Sequence, residues 1–348
     1  MNLDSNVLPA LFNVLAHLNA QHKPLAQPMQ AALDTLNSTA VEAGTRMFNL
    51  GNLEKAESYL TIGAGAGDVW CQFALATCGT YRDGIWHRER GDVISHAGDE
   101  TKKWLRLAAD QNHIPALIQL GDSASMEKAQ GLINDAPAYD QPRGMYYMYL
   151  ITEDASWLEK SAAAGWEEAQ YRLAEFYQRH PERITNSALR AARIEELFQE
   201  SADGGFPLAV HARIFSDDST ASLTEKQARL DQLARMGQVD AMLEYGYALA
   251  NMPRFEHRAP DTYELRTTPR TYGLAQDLGL AYAMLKFVLK QTAGAIEFPR
   301  LAADLHGLEM RLRPKDVEMA DATLLKFHDN GVRAFRRLYE VIIPRTAV

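Results

Sequence analysis

A set of positions that recurs five times along the chain is the feature that most constrains its fold. Each copy has one or two large residues, then alanine four residues later, glycine or asparagine three residues after that, and a small residue four further on. The copies are Tyr59-Leu60, Ala64, Gly67 and Cys71; Trp104-Leu105, Ala109, Asn112 and Ala116; Trp157-Leu158, Ala162, Gly165 and Ala169; Leu197-Phe198, Ala202, Gly205 and Ala209; and Leu230, Ala234, Gly237 and Ala241. One turn further on, most copies have a large apolar residue, whereas the fourth has Arg213. This periodicity predicts an array of similar structural units.

The spacing within each copy is that of two short helices joined by a tight turn. Residues four apart lie on one face of an α-helix, so the leading residue and the alanine share a face. The glycine or asparagine follows at the place where a helix often ends in a left-handed residue. The next small residue lies in a second helix and lets the two helices approach closely. Each copy is therefore predicted to be a helix–turn–helix hairpin that must stack on its neighbours to bury its apolar face.

This pattern resembles the Sel-1-like repeat, a relative of the tetratricopeptide repeat with the approximate consensus A-x-x-W-L-x-x-A-A-x-x-G-x-x-x-A-x-x-x-L-G-x-x-Y. Residues 155–165, with the sequence ASWLEKSAAAG, are close to it, and so is the segment from Trp104 to Ala109. Residues 281–285 resemble the opening of a last repeat, in which Leu289 and Thr292 stand where alanine and glycine are expected. The resemblance implies an all-α, right-handed superhelical α-solenoid of about six helix–turn–helix repeats with extra terminal helices.

The uneven distances between turn positions divide the chain into repeats and insertions. We expect an N-terminal helical segment at 1–40, five repeats over 41–250 with insertions near 81–100 and 123–152, a proline-containing insertion at 251–278, and a degenerate last repeat with C-terminal capping helices at 279–348. The prolines in the third insertion exclude a single helix there. Near the C-terminus, three arginines and two apolar residues predict an amphipathic cap over the last hairpin: Arg333, Arg336, Arg337, Phe335 and Leu338.

Charge and composition argue against several classes of function. The formal net charge of −9 repels nucleic acid and anionic lipid, although it is compatible with a local basic patch. Two cysteines exclude a disulfide framework, and no apolar run reaches the roughly 18–20 residues of a membrane-spanning helix. The apolar run from Val7 to Leu18 contains Pro9, Asn13 and His17, which is typical of an amphipathic helix and not of a secretory signal. A cytoplasmic location is expected, or a periplasmic one if a leader has been removed.

No motif in the sequence predicts catalysis, a cofactor or a metal site. The glycine-rich segment Gly63–Asp68 follows a predicted helix and not a strand, so it is interpreted as an inter-helix turn and not as a phosphate-binding loop. Cys71 and Cys78 lie two helical turns apart, roughly 10 Å, which is too far for a disulfide. Three histidines near one insertion are favoured as surface or hydrogen-bonded residues over metal ligands: His87, His96 and His113.

An aromatic run outside the repeat pattern is the best sequence candidate for contact with a partner. Tyr146, Tyr147 and Tyr149 lie in the second insertion, and Trp86 lies in the first. Aromatic residues are enriched at interface hot spots, so an exposed share of this run would bind a partner. The equally weighted alternative is a helix of the third repeat that is buried on one side.

The resemblance implies a non-enzymatic scaffold or adaptor that binds a protein or peptide on the solenoid surface, without nucleic acid or membrane insertion. A specific form is an immunity-type binder that neutralises a secreted bacterial effector toxin, because some solenoids of this family are encoded beside such effectors. An acidic binder also suits a basic target. The alternative function is an enzyme or small-ligand-binding protein with its site in the insertion at 251–278.

Overall fold

The computed structural model describes residues 27–82, 96–135, 141–216, 219–259, 262–265 and 268–338. The chain divides into two units, residues 1–164 and 165–348. The described residues are helical except for turns, a short two-stranded hairpin and a few connecting segments. The all-α prediction is therefore confirmed, with the hairpin as its exception in the described part of the chain.

The first unit is a succession of short helices, each packed against the next one along the chain. Its helices are α1 (Gln27–Asn49), α2 (Leu53–Gly65), α3 (Val69–Arg82), α4 (Asp99–Asp110), α5 (Ile114–Leu120), α6 (Ser123–Asp135), α7 (Gln141–Thr152) and α8 (Ala155–Ala163). This nearest-neighbour packing is the property that defines a helical solenoid. The predicted insertion at 123–152 is thus itself a pair of helices, α6 and α7.

The second unit continues with the same kind of packing. It contains α9 (Glu167–Arg179), a short 3-10 helix (Pro181–Arg183), α10 (Ser187–Gly204), α11 (Pro207–Phe215), α12 (Leu223–Arg235), α13 (Val239–Ala250), β1 (Phe255–Ala259), β2 (Thr262–Leu265), α14 (Leu278–Thr292), α15 (Leu301–Glu309) and α16 (Pro314–Asp329). The two strands pair antiparallel, and their register sets Phe255 opposite Leu265. The insertion at 251–278 is therefore not one helix, as its prolines predicted.

The repeat positions found in the sequence have the predicted backbone conformation. All five turn residues are left-handed, with φ values between 67° and 96°: Gly67, Asn112, Gly165, Gly205 and Gly237. The small residues that begin the second helices are at most 1% exposed: Cys71, Ala116, Ala169, Ala209 and Ala241. Side chains of this size let the two helices of a hairpin approach closely, which explains why the pattern excludes larger residues there.

Arg213, which interrupts the apolar pattern of the fourth copy, is accommodated by ion pairs. Its side chain is 10% exposed, and its guanidinium contacts the carboxylates of Glu195 and Glu225. Burial opposes ionisation of Glu195, but hydrogen bonds from Arg213 and Thr220 outweigh it, so the pKa of this carboxyl lies below its usual value. Two carboxylates thus compensate a buried cation at a position where the other repeats have leucine or tyrosine.

The segment after α16 differs from the predicted amphipathic cap over the last hairpin. Residues 332–338 are not helical, and Phe335 forms a parallel β-bridge with Gln238 at the turn between α12 and α13. The Phe335 amide donates to the carbonyl of Gly237 at 3.0 Å, and the Val239 amide donates to the carbonyl of Phe335 at 2.8 Å. This segment therefore crosses the turn of the fifth repeat as a β-bridged segment and not as a helix.

Within the described residues, no helix combines the length and apolar character needed to cross a bilayer.

Candidate functional site

Charged and hydroxyl side chains cluster on and around α13, in the second unit. Asp240, Glu244 and Tyr247 are spaced four and three residues apart, which places them along one face of α13. The other members come from the third insertion, from α15 and its N-cap, and from the C-terminal segment. Together they form what we call the α13 network: Asp240, Glu244, Tyr247, Arg254, Arg270, Tyr272, Arg300, Asp304 and Arg336.

Glu244 is the centre of the α13 network, and only 2% of its surface is exposed. Arg254 donates a hydrogen bond to Glu244 Oε2 at 2.8 Å, and the Tyr272 hydroxyl donates to Oε1 at 3.0 Å. The Arg270 guanidinium lies 3.8 Å from the same Oε1. A buried carboxylate is tolerated only when it is paired and hydrogen-bonded in this way. The insertion therefore supplies the groups that allow an acidic residue inside α13.

Two bulky residues of the α13 network have left-handed backbone conformations. Tyr272 has φ 53° and Arg300 has φ 71°. Such conformations are unfavourable for residues with large side chains and persist only where the surroundings hold them. The Tyr272 carbonyl accepts a hydrogen bond of 2.6 Å from Gln227 Nε2, which fixes this strained turn against α12. The two loops that present Arg270 and Arg300 therefore each contain a residue in an unfavourable backbone conformation.

A second hydrogen-bonded pair extends the network by one turn of α13. The Tyr247 hydroxyl donates to Asp304 Oδ2 at 2.7 Å, and the Arg300 guanidinium lies 3.9 Å from Asp304 Oδ1. Burial, together with the neighbouring Asp304 carboxylate, raises the pKa of Tyr247 above its ordinary value. For Tyr272, burial and the charge of Glu244 raise the pKa to about 12. Both hydroxyls therefore remain hydrogen-bond donors at neutral pH.

The C-terminal segment and α11 approach Asp240 at the start of α13. Arg336 Nε donates to Asp240 Oδ2 at 3.1 Å, and Arg254 donates to the Asp240 carbonyl at 3.2 Å. On α11, the His211 ring contacts the Phe215 ring at a tilt, with centroids 4.7 Å apart. Burial lowers the pKa of His211, and the charge of Asp240 partly opposes that shift. His211 therefore adds an uncharged aromatic surface beside the network at neutral pH.

The exposure of the arginines shows which of them can reach a partner. Arg254 is inside the network with a side chain that is 14% exposed, whereas the side chains of Arg270 and Arg300 are 54% and 56% exposed. Arg270 lies beside Glu244 of α13, whereas Arg300 lies beside Asp304, which accepts a hydrogen bond from Tyr247 of α13. The arrangement can present two guanidinium groups, each with planar donors that suit carboxylates and carbonyl oxygens.

The aromatic residues that the sequence predicts as partner contacts differ in how deeply the structure buries them. Tyr146 and Tyr147, in α7, are each 7% exposed, which agrees with the alternative of a helix buried on one side. Tyr149 is half-buried, and its ring lies 6.4 Å from that of Tyr146. Trp86 lies outside the described residues. Contact between this run and a partner therefore stays a prediction. Within α7, Tyr149 is the tyrosine of the run whose side chain is accessible enough to make it.

The residues discounted by the sequence have structural roles where the structure describes them. Cys71 and Cys78 are buried free thiols. Gly63 lies inside α2, where an added Cβ would be 2.5 Å from Val41 Cγ2 and 2.6 Å from Cys71 Sγ, so the glycine allows close helix packing. The His113 ring contacts the Phe73 ring at a tilt, with centroids 4.6 Å apart. Among the described residues, no three His, Cys, Asp or Glu side chains form a group suited to a metal ion.

The sequence did not point to the α13 network, although a signal was present. Asp240 and Glu244 interrupt an otherwise apolar second helix, and an acidic residue on such a helix requires a partner. The partners come from a loop 10 to 28 residues later and from a segment nearly a hundred residues later. Contacts at these separations follow from the fold and not from local spacing.

No protein-family model matches the chain, and no curated protein matches it. Solved structures do match. One is a protective antigen present in uropathogenic Escherichia coli strains that displays an SLR fold, with 16% identity and a TM-score of 0.36 over 80% of this chain and 56% of that one. This chain therefore spans little more than half the length of that protein.

Two further solved structures are covered over most of their length. The chain is similar to a Sel1 repeat protein from Oxalobacter formigenes, with 16% identity and a TM-score of 0.31 over 88% of this chain and 93% of that one. It is similar to an immunity protein from Pseudomonas aeruginosa, with 14% identity and a TM-score of 0.35 over 82% of this chain and 90% of that one. In the chain itself, the helix pairs, their left-handed turn residues and their buried small residues confirm the resemblance to the Sel-1-like repeat family.

Proposed function

We propose that this protein is a non-enzymatic interaction scaffold that binds a protein partner at the α13 network. The observation that carries the proposal is the pair Arg270 and Arg300, whose side chains are more than half exposed and lie beside the carboxylates of Glu244 and Asp304, respectively, which are 3% and 14% exposed. Arginines held in this way lose little side-chain freedom on binding, and arginine is enriched at interface hot spots. Stacked hairpins also provide extended surfaces for docking proteins and peptides.

The network offers a partner two kinds of contact. Arg270 and Arg300 can donate hydrogen bonds to carboxylate or carbonyl oxygens of the partner. The half-buried rings of His211 and Tyr272 offer apolar surface beside these charges. A partner surface of mixed polarity, with an acidic side chain or an exposed backbone carbonyl at its centre, fits this arrangement best.

A more specific form of the proposal is an immunity-type binder that neutralises a secreted bacterial effector toxin. The formal net charge of −9 supports a basic partner, because opposite net charges accelerate encounter at low and moderate salt. Local contacts at the two arginines and long-range attraction to a basic protein are compatible, since steering and docking act at different distances. Protection of cells that produce the captured partner would test this form directly.

The first experiment is affinity capture from the native organism's lysate with three forms of the tagged full chain. These are the wild type, the double variant Arg270→Ala/Arg300→Ala, and the matched control Arg106→Ala/Arg311→Ala, which removes two exposed arginines elsewhere. The proposal predicts a stoichiometric protein retained by the wild type and the control and lost from the first double variant. Equal retention of the partner by all three forms would show that the α13 network is not part of the partner interface.

Tyr149 is a second proposed contact, in the first unit. Truncation of Tyr149 should weaken capture while the melting temperature changes little, because the side chain is half-buried. Truncation of Tyr146 or Tyr147 should lower the melting temperature, because both side chains lie in the interior. If Tyr149→Ala lowers the melting temperature but leaves capture of the partner unchanged, Tyr149 contributes to helix packing and not to partner binding.

A second candidate function is the binding of a small ligand at the same network. The observation that favours it is the convergence of Arg254, Arg270 and Tyr272, all from the third insertion, on buried Glu244. A thermal-shift screen of small carboxylates and amines, repeated with Arg270→Ala, distinguishes the two functions. A ligand that stabilises only the wild type, combined with an empty capture experiment, would favour this candidate over a protein partner.

A further inference from the structure

The exposed side of α16 contains apolar residues in the middle of the helix. The face packed against the second unit contains Asp316, Ala320, Thr323 and Phe327. Leu325, on the opposite side, is 60% exposed, and Met319, at the edge of the packed face, is 50% exposed. These two apolar side chains identify an interaction surface only if the residues around them are complementary to one partner.

Seven exposed residues of α16 lie in one stripe along the helix, while other exposed residues of the helix lie outside it. The stripe consists of Lys315, Glu318, Met319, Ala322, Leu325, Lys326 and Asp329. At 100° per residue these positions fall within about a third of the helix circumference. The apolar residues occupy the middle of the stripe, and the charged residues occupy its two ends.

The stripe is complementary to a second copy of itself. If two α16 helices pack antiparallel with Ala322 on the two-fold axis, Met319 of one copy lies opposite Leu325 of the other. Glu318 then lies opposite Lys326, and Lys315 lies opposite Asp329. Each pair occurs twice, as symmetry requires of an isologous interface. Every charge in the stripe thus meets an opposite charge, and the smallest side chain lies where the helices approach most closely.

We propose that this protein self-associates through the outer stripe of α16, in an antiparallel helix pair centred on Ala322. The occupant is a second copy of the chain because the same register satisfies both the apolar pair and both charge pairs. The stripe is short, so the buried area falls at the low end of protein interfaces, below about 1,200 Å². The dimer is therefore weak and concentration-dependent, with a dissociation constant roughly in the range of 10 µM to 1 mM. This surface is separate from the α13 network, so either proposal can fail alone.

Charge exchange tests the register of the helix pair. Glu318→Lys places a lysine opposite Lys326 twice, and Lys326→Glu places a glutamate opposite Glu318 twice. In sedimentation equilibrium, each single variant should dimerise at least about tenfold more weakly than the wild type. An equimolar mixture of the two single variants should regain dimerisation, because both charge pairs become attractive again. Failure of the mixture to recover dimerisation would overturn the proposed register.

A matched control distinguishes the effect of net charge from the effect of the local pairing between Glu318 and Lys326. Glu42→Lys is an exposed substitution on α1 that changes the net charge by the same amount as Glu318→Lys. Reduced repulsion between acidic chains should leave its dimerisation unchanged or slightly stronger. A weaker dimer in Glu318→Lys but not in Glu42→Lys therefore isolates the local pairing. Equal behaviour of the two variants would overturn the proposal.

Cysteine crosslinking tests proximity to the axis even when the dimer is weak. Ala322→Cys should form an intermolecular disulfide under mild oxidation, because the two substituted residues face one another across the axis. Ala303→Cys, an exposed alanine on α15, is the matched control and should remain monomeric. A wild type that is monomeric up to about 1 mM, together with equal crosslinking of the two cysteine variants, would contradict the proposal.

Discussion

Arg254 and Glu244 form a hydrogen-bonded ion pair, with 2.8 Å between Nη1 and Oε2, in which the carboxylate is 3% exposed. Arg254 follows the end of α13, whereas Glu244 lies in the middle of the helix, so the pair ties the start of the third insertion back onto the fifth repeat. The pair thereby positions the loop that carries Arg270 and Tyr272.

Arg254→Ala should lower the free energy of unfolding by roughly 3 kcal/mol, because it leaves the buried Glu244 carboxylate without its main partner. The double variant Arg254→Ala/Glu244→Ala should lose less than the sum of the two single variants, since it removes the unpaired charge. Urea-induced unfolding of the four forms measures this coupling. Additive effects would show that the ion pair does not determine stability.

Gly237→Ala should destabilise the chain more than Gly165→Ala, although both positions are left-handed turn residues with φ 96° and 89°. The conformational penalty for alanine, about 1 kcal/mol, applies to both sites. Only at Gly237 would the new Cβ lie 2.4 Å from a backbone atom, the Arg333 carbonyl oxygen, whereas nothing lies within 4 Å at Gly165. The free energies of unfolding of the two variants should differ by at least another 1 kcal/mol or so. Equal losses would mean that the C-terminal segment does not pack on this turn.

His113 should make the stability of the first unit depend on pH. Burial lowers its pKa from 6.5 to about 4, and its Nδ1 has no hydrogen-bond partner among the described residues. Between these two pKa values the unfolded chain binds the proton more strongly than the folded chain does, so protonation favours unfolding. This contribution to stability is complete above about pH 6.5 and is lost as the pH falls toward 4, by at most about 3 kcal/mol.

The variant His113→Phe isolates this effect, because it keeps an aromatic ring against Phe73 and removes the titrating group. The difference in unfolding free energy between wild type and variant should change between pH 7 and pH 4.5, in favour of the variant at the lower pH. A constant difference across this range would contradict the lowered pKa.

Arg213→Leu should leave stability nearly unchanged or increase it, whereas Arg213→Ala should reduce it by roughly 2 kcal/mol. Leucine restores the apolar residue that other repeats have here, and Glu195 and Glu225 are 48% and 23% exposed, so water can hydrate them once the cation is gone. Alanine leaves a cavity in its place. A larger loss for leucine than for alanine, in thermal unfolding, would show that the ion pairs themselves stabilise the fourth repeat.

The parts of the fold that are local in sequence were predictable, and the parts that depend on distant contacts were not. Gly67 and Asn112 predict the turns in which they lie, because glycine and asparagine tolerate positive φ better than other residues. The aromatic run in α7 could be buried or exposed on the same sequence pattern, since the partner helix decides which face is covered. The bridge between Phe335 and Gln238 joins residues nearly a hundred positions apart, and no local propensity encodes it.

In the candidate site, too, the sequence predicts the local features but not the contacts between distant residues. The presence of Asp240 and Glu244 on an apolar helix indicates that cations must be near, but not which ones. Arg254 is the nearest arginine that follows in sequence and is a partner of both, whereas the choice of Arg336 depends on the path of the C-terminal segment.

The central claim is that the exposed arginines of the α13 network bind a protein partner, and calorimetric titration tests it most directly. The captured partner would be titrated into the wild type, Arg270→Ala/Arg300→Ala and Arg106→Ala/Arg311→Ala at fixed salt, with the melting temperature of each form measured in parallel. We predict a loss of affinity of at least about 100-fold for the first variant, a loss below threefold for the second, and melting temperatures close to the wild type for both. Unchanged affinity in a well-folded Arg270→Ala/Arg300→Ala variant would contradict the claim.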